Sequence, residues 1–392
     1  MPNHLQRIYL DHSATTPADP AVVEAMLPYF AQVYGNASSI HAFGRESKIA
    51  LEESREKVAG LVGARPGEIF FTSGGTEADN HALVGVAFAA KRALGKNHLI
   101  VSAIEHHAVL HAAEYLQANG FELTIVPVDH VGMVNPDDVR SSIRPATCIV
   151  SIMHANNEIG TIQPVEEIAR VVHEHGIVFH SDTVQSVGKI PVNVEQLSVD
   201  VVAISAHKFY GPKGIGAIYI RRGVEIDAFI QGGAQERNRR AGTENVPLAV
   251  GFAKAAEISE QGLPEQTGRL KILKEQLKSA LSEKFNCIIF NGHPTDTLPT
   301  IVNVSFDSSK IDIDGEALLL NMDLHGIAVT SGSACSSGSM EPSHVLHAIG
   351  RDLKTARASI RFSMGKNTTQ SEIEKAVDVL ETVVRKISAV TV

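Results

Sequence analysis

The chain has 392 residues, of which 44% are hydrophobic, and its 35 basic and 44 acidic side chains give a formal net charge of −9. At about 100–200 residues per domain this length predicts two or three domains, with ample material for a buried core. No basic block runs along the chain, which argues against nucleic acid or an anionic membrane as its main partner. Residues 1–11 lack the apolar run of a secretory signal, and the apolar stretch Leu83–Ala90 is far shorter than the roughly 20 residues that cross a bilayer. A cytoplasmic protein is expected.

From about residue 68 to 222, short β-branched runs alternate with helical stretches. The strands predicted are Glu68–Thr72, His98–Ser102, Leu123–Pro127, Thr147–Met153, Ile177–Ser181, Asp200–Ser205 and Ile215–Arg221. Apolar runs of this length between helices predict an α/β fold with a mostly parallel seven-stranded sheet covered on both faces. The last strand follows its predecessor through the turn Tyr210–Gly214, too short for a parallel crossover, so it is expected to be antiparallel.

Beyond about residue 260 the texture changes. A charged helical pattern covers Gln266–Lys284, then come strands at Cys287–Phe290 and Ile301–Phe306 and a helix near Gly315–Leu324. A strand at Ile327–Thr330, a Ser/Gly-rich loop, a strand at Ser359–Ser363 and a closing helix at Gln370–Ile387 complete a smaller α+β C-terminal domain. Its boundary is expected between Leu248 and Thr267. The division that follows is a large domain at 15–258, with 1–14 and 259–392 forming the small one.

In a doubly wound sheet, ligands bind beyond the carboxyl ends of the strands. The first strand opens into Ser73-Gly74-Gly75-Thr76-Glu77-Ala78, where free N–H groups at a helix start would cradle a phosphate. No Gly-Lys-Ser/Thr follows, so it is not a Walker loop; alone it is a weak signal, because glycines before a helix often mark only a tight turn. The next strands lead to Glu105-His106-His107, to His154 through Glu158, to Asp182 with Gln185, and to His207-Lys208. Any one of these would more often be a satisfied core polar group, but together they are hard to explain as structure. Lysine, acid and phosphate site together specify pyridoxal phosphate, which needs a Schiff-base lysine, an acid at its ring nitrogen and a phosphate anchor. Lys208 fits the first role better than Lys213, Asp182 the second, and His106 would lie over the ring. Asn157 and Gln185 would meet ring substituents, with Ser205 and His207 near the phosphate. No metal is required. His107 and His111, and His344 and His347, lack metal-site context and are expected to be solvated.

The three cysteines, Cys148, Cys287 and Cys335, form neither a disulfide framework nor a zinc knuckle. Cys148 and Cys287 lie in apolar runs and are expected to be buried. Cys335 sits among serines and glycines, in a stretch that has nothing to bury it with.

These motifs are similar to those of NifS/IscS-type cysteine desulfurases, class V aminotransferase-like enzymes of pyridoxal-phosphate fold type I. The resemblance runs from Tyr9-Leu10-Asp11 to the final helix. It is carried by Ala14-Thr15-Thr16-Pro17, Gly75-Thr76-Glu77, Glu105-His106, Asn156-Asn157-Glu158-Ile159-Gly160, His207-Lys208, Gly211-Pro212-Lys213-Gly214, Arg240 through Asn245, and most specifically by Ser331-Gly332-Ser333-Ala334-Cys335. It implies that Lys208 is the Schiff-base lysine, Asp182 the pyridinium partner and His106 a ring-stacking acid/base. Gly75, Thr76, Ser205 and His207 become phosphate ligands, with Thr243 reaching the phosphate of the other subunit of a homodimer. Asn36 and Arg361 would hold the carboxylate of the substrate, L-cysteine. The Cys335 thiolate, on the loop 331–342, would take the substrate's sulfur as a persulfide and leave alanine.

The pattern is departed from beside the contacts: Thr183 stands where Ala is common, Ala37 where Pro is usual, and Asp11-His12-Ser13 is a less common opening. The chain also ends soon after Ile387, without the tail that IscS-like members use to dock a scaffold. The resemblance therefore leaves the sulfur acceptor open between an iron–sulfur scaffold and a tRNA-thiolation enzyme. The rival activities are a class V aminotransferase or a selenocysteine lyase of the same fold. A non-catalytic binding subunit would be expected to have lost Lys208 or Cys335.

Overall fold

The computed structural model describes residues 7–332 and 342–388, so Cys335 and most of its loop lie outside the described residues. The strands in chain order are β1 (Ile8–Tyr9), β2 (Ile69–Thr72), β3 (His98–Ser102), β4 (Glu122–Val126), β5 (Thr147–Ser151) and β6 (Val178–Asp182). They continue with β7 (Val201–Ser205), β8 (Gly216–Ile220), β9 (Ile288–Asn291), β10 (Ile301–Phe306), β11 (Ile327–Ala328) and β12 (Ser359–Ser363). Seven of them form one sheet in the order β2-β8-β7-β6-β5-β3-β4.

Within that sheet β8 is antiparallel to both of its neighbours and every other pairing is parallel. The short turn before β8 therefore reverses the chain, as its length requires. Successive side chains go to opposite faces. Phe71, Ile100, Val150, Phe179, Val202 and Tyr219 enter the core that includes the helices Ala42–Leu61 and Val246–Lys284. Phe70, Leu99, Val101, Ile149, Ala203 and Ile218 enter the opposite core, with Leu83, Val109 and Leu116. Burial on both faces explains why these strands read as continuous apolar runs. Only the edge strand β4 exposes residues, Glu122 and Ile125.

The helix Val246–Lys284 begins 20 residues before the expected Gln266 and runs through the Leu248–Thr267 stretch. Asn245 caps its start by accepting from Leu248 N at 3.2 Å. Gly262 and Pro264 interrupt its helical pattern in sequence, but Val246, Ala249, Phe252 and Ala256 upstream are buried and hold the first half in place. Tertiary packing here outweighs local propensity. Its far half joins a separate core: Leu270, Leu273, Leu277 and Leu281 pack with Ile8, Leu10, Val304, Ile360 and Leu380. That core lies against the antiparallel sheet β12-β10-β9. β1 pairs in parallel with β11, which brings the start of the chain to this unit. Cys148 and Cys287 are buried, and burial pushes the Cys148 thiol up to about 11. No helix among the described residues is long and apolar enough to cross a membrane.

Candidate active site

Because β8 opposes both β2 and β7, the carboxyl ends of β2, β3, β5, β6 and β7 all open on one edge of the sheet. A cavity of about 400 Å³ lies there. It is lined by Gly75 and Thr76 after β2, by His106 after β3, by Asn157 after β5, by Asp182 and Gln185 from β6, and by Ser205, His207 and Lys208 from β7. Arg361, from β12, closes it from the other unit. Ten of the thirteen residues singled out in the sequence meet here.

Asn36 and Thr243 do not. Asn36 is exposed, and its Oδ1 accepts from Ser38 N at 2.8 Å, holding the loop before the helix Ala42–Leu61. Thr243 is also exposed, outside the cavity of its own protomer. Cys335 lies outside the described residues, but Gly332, just before it, lines the cavity.

At the turn after β2, the chain opens into a helix at Gly75–Asn80 that continues through a wider turn to Leu94. A Cβ on Gly75 would stand 2.7 Å from Val184 Cγ2, and one on Gly216 would stand 2.7 Å from the Gly74 carbonyl carbon. Glycine at both positions lets this turn lie directly on the sheet at the cavity edge, where the first N–H groups of a helix are suited to an anion. Arg240 grips Glu77, with Nε 2.9 Å from Oε1, and fixes the first helical turn.

Lys208 Nζ donates to Ser13 O at 2.7 Å and Ala14 O at 2.9 Å, which tethers it to the chain's opening segment. Asp182 accepts from Val184 N at 2.8 Å. Burial raises its pKa to about 6, opposed by that hydrogen bond and by the Lys208 charge. Beneath it lies Asp79, a residue the sequence reading passed over. Burial, then the charges of Asp182 and Glu105, push Asp79 well above the usual carboxylate range. Buried carboxyl groups that feel each other's charge resist ionising together, and the upward push is the greater on Asp79.

His106 caps the helix His107–Ala118, its Nδ1 accepting from Ala108 N at 3.1 Å. Burial, followed by the Lys208 charge, lowers its pKa to about 4. The ring is therefore neutral near pH 7 and carries its proton on Nε2. The sequence expectation that His107 and His344 are solvated needs correction. Both line the cavity, with ring centroids 4.7 Å apart, because His344 Nε2 bonds to Glu105 O at 2.9 Å and draws its helix onto this edge. Their helical neighbours His111 and His347 are exposed, as expected.

Arg361 is nearly fully buried. Its Nη2 is 2.7 Å from Asp11 Oδ1, and its Nη1 donates to Asn157 O at 2.8 Å. Its Nε, Ser13 Oγ, His107 Nδ1 and Glu105 Oε2 are buried without a hydrogen-bond partner among the described residues. Glu158, named in the sequence motifs without a role of its own, touches both sides of the 333–341 stretch. It accepts from Ser343 Oγ at 2.5 Å, and a Cβ on Gly332 would stand 2.6 Å from its Oε2.

A lysine amine, a buried carboxylate, a glycine-built anion cradle and an arginine with an unused donor converge on one cavity. These are the groups that pyridoxal phosphate and an amino-acid carboxylate require, so the residues fit the cofactor. The fold and site define a pyridoxal-phosphate enzyme of fold type I. The family model for the class-V aminotransferases matches residues 8–376. A curated "Cysteine desulfurase IscS" from Dictyoglomus turgidum is 48% identical over 98% of this chain and 96% of its own length. Another of that name from Methanosarcina thermophila is 49% identical over 97% of this chain and 92% of its own. A solved structure described as a NifS-like protein superposes with a TM-score of 0.90 and 39% identity, covering 97% of this chain and all of the other. The chain belongs to the class-V aminotransferases and, within them, to the NifS/IscS-type cysteine desulfurases.

Proposed function

We propose that this chain converts L-cysteine to L-alanine and takes the sulfur onto Cys335 as a persulfide. The observation that carries the reading is the meeting of Lys208, Asp182, His106 and Arg361 around one cavity that Gly332 also lines. Pyridoxal phosphate, when bound, supplies an electron sink for the charge that develops at the substrate's Cα.

Each residue then has a task set by its surroundings. Arg361 binds the substrate carboxylate with donors not already committed to Asp11 and Asn157. Lys208 would hold the cofactor through its amine, which the Ser13 and Ala14 carbonyls position while it is free, and would move the proton at the substrate's Cα. Asp182 would face the cofactor's ring nitrogen, its ionised form favoured by the Lys208 charge and by the hydrogen bond from Val184 N. Neutral His106 would lie over the ring, Asn157 and Gln185 would meet ring substituents, and Gly75, Thr76, Ser205 and His207 would hold the phosphate. The Cys335 thiolate attacks the substrate sulfur; the S–S bond forms as the sulfur–carbon bond breaks, and a proton returns to the carbon that becomes alanine's methyl group.

The chain works as a homodimer in which the partner subunit's Thr243 completes the phosphate site, in keeping with the exposed position of that loop. The large domain at 15–258 carries the cofactor, while 1–14 and 259–392 supply Arg361 and Cys335. Asn36 reaches the substrate only if its loop moves inward from the exposed position it holds here. The sulfur passes to a protein of iron–sulfur cluster assembly or tRNA thiolation in the cytoplasm.

The test is product analysis of the purified enzyme with L-cysteine. Alanine released in step with sulfur is the expected result. Amino-group exchange between glutamate and a keto acid without alanine would move the reading to an aminotransferase, and turnover of selenocysteine alone would move it to a lyase; neither rival is favoured by the relatives.

A further inference from the structure

Lys189 is a buried lysine behind the active site, on the turn that follows β6. Burial, then the like charges of Lys208 and Arg361, push its pKa well below the usual lysine range. A cation placed there works against folding, so something other than stability has to account for it. Its Nζ donates to Gln185 Oε1 at 2.5 Å. On the other end of the same amide, Gln185 Nε2 donates to Ser13 O at 3.0 Å. A backbone carbonyl only accepts, so Gln185 turns Nε2 to Ser13 and Oε1 to Lys189, whose Nζ donates to that oxygen and holds the amide in this orientation. Ser13 takes one N–H of Nε2. The second belongs to a side chain that lines the cavity.

We infer that Lys189 is a positioning residue for the cofactor, keying Gln185 so that its Nε2 presents an N–H to an oxygen substituent of the ring. The inference rests on the proposed reading of Gln185 as a ring contact and adds what orients it. Lys189 touches neither cofactor nor substrate. It acts by clamping and polarising the amide, because donation to Oε1 makes the Nε2 hydrogens better donors. Behind it, a small cavity of about 20 Å³ is lined by Lys189, His12, Thr16 and Lys208 among others.

The test is a double-mutant cycle read by the dissociation constant of pyridoxal phosphate from the apoprotein. Lys189→Met should weaken cofactor binding about tenfold, the scale of one lost hydrogen bond, and shift the visible band of the bound cofactor. It should leave the apoprotein melting at least as high as wild type, because an apolar chain of similar length replaces a buried charge. Gln185→Leu should weaken binding comparably, and adding Lys189→Met to it should have no further effect. Lys189→Gln, which keeps a donor, should recover part of the affinity. If Gln185→Leu weakens binding while Lys189→Met leaves it unchanged, or if the two effects add, the inference fails and the Gln185 reading stands. If Gln185→Leu binds the cofactor as wild type does, both fail. A Lys189→Met apoprotein that melts lower yet binds the cofactor normally would make Lys189 a structural residue and also overturn the inference.

Discussion

Arg361 and Asp11, separated by 350 residues, form a 2.7 Å ion pair at the wall of the cavity. The pair joins β12 to the segment after β1, which also supplies the Ser13 and Ala14 carbonyls that hold Lys208. Arg361 and Lys208, proposed above to hold the substrate carboxylate and the cofactor, are thus positioned by one short stretch of chain. Asp11→Ala would leave the Arg361 charge buried and unmatched, at a cost of about 3 kcal/mol of stability. The expected outcome is a lower melting temperature together with a raised KM for L-cysteine. Asp11→Asn keeps an acceptor and should recover part of both.

Gly75 is the point where the phosphate turn meets the sheet. Gly75→Ala places a methyl group 2.7 Å from Val184 Cγ2, so the turn or Val184 must move. The fold should survive, as the strain is local. Cofactor affinity should fall by about tenfold, the effect of weakening one or two charged hydrogen bonds, as followed by the visible band during dialysis.

Gly332 adopts φ of +106°, and a Cβ there would also press on the buried Glu158. Gly332→Ala should therefore slow sulfur transfer by disturbing the lead into Cys335. The cofactor's absorbance should stay as in wild type, because the cofactor contacts lie elsewhere. Alanine formation and the visible spectrum, measured on the same sample, check both halves.

Glu105 is fully buried, and burial raises its pKa to about 8. The folded state therefore holds a proton that the unfolded chain releases from about pH 4.5, so this residue's contribution to stability is present at low pH and declines as pH rises through about 8. Glu105→Gln imitates the protonated form and removes the dependence. Relative to the variant, wild type should lose melting temperature progressively between pH 5 and pH 8. A pH-independent difference would contradict the assignment.

The strands and most of the site were legible because the inner parallel strands are continuous apolar runs and the turns after β2, β3, β5, β6 and β7 carry polar residues with recognisable chemical tasks. β3 and β10 have the bounds read for them, and the reversed β8 followed from the length of its turn. The overlooked residues owe their roles to burial and to distant partners, which spacing does not reveal. Asp11 matters through Arg361, Lys189 through its desolvated position behind Gln185, and Asp79 through the acid it faces. The His107–His344 contact arises only when a helix of the small unit packs on the sheet edge, across more than 200 residues of sequence. The helix start at Val246 was hidden by Gly262 and Pro264, whose local preference is overridden by the packing of Phe252 and Ala256.

The account turns on a cysteine that receives sulfur from a cofactor-bound substrate. The most direct measurement adds L-cysteine to wild type and Cys335→Ser side by side and follows alanine, sulfide and the visible spectrum. Both proteins should show the band of bound pyridoxal phosphate, and both should respond to L-cysteine, but only wild type should form alanine and carry a persulfide. A Cys335→Ser enzyme that makes alanine and sulfide at the wild-type rate would contradict the account.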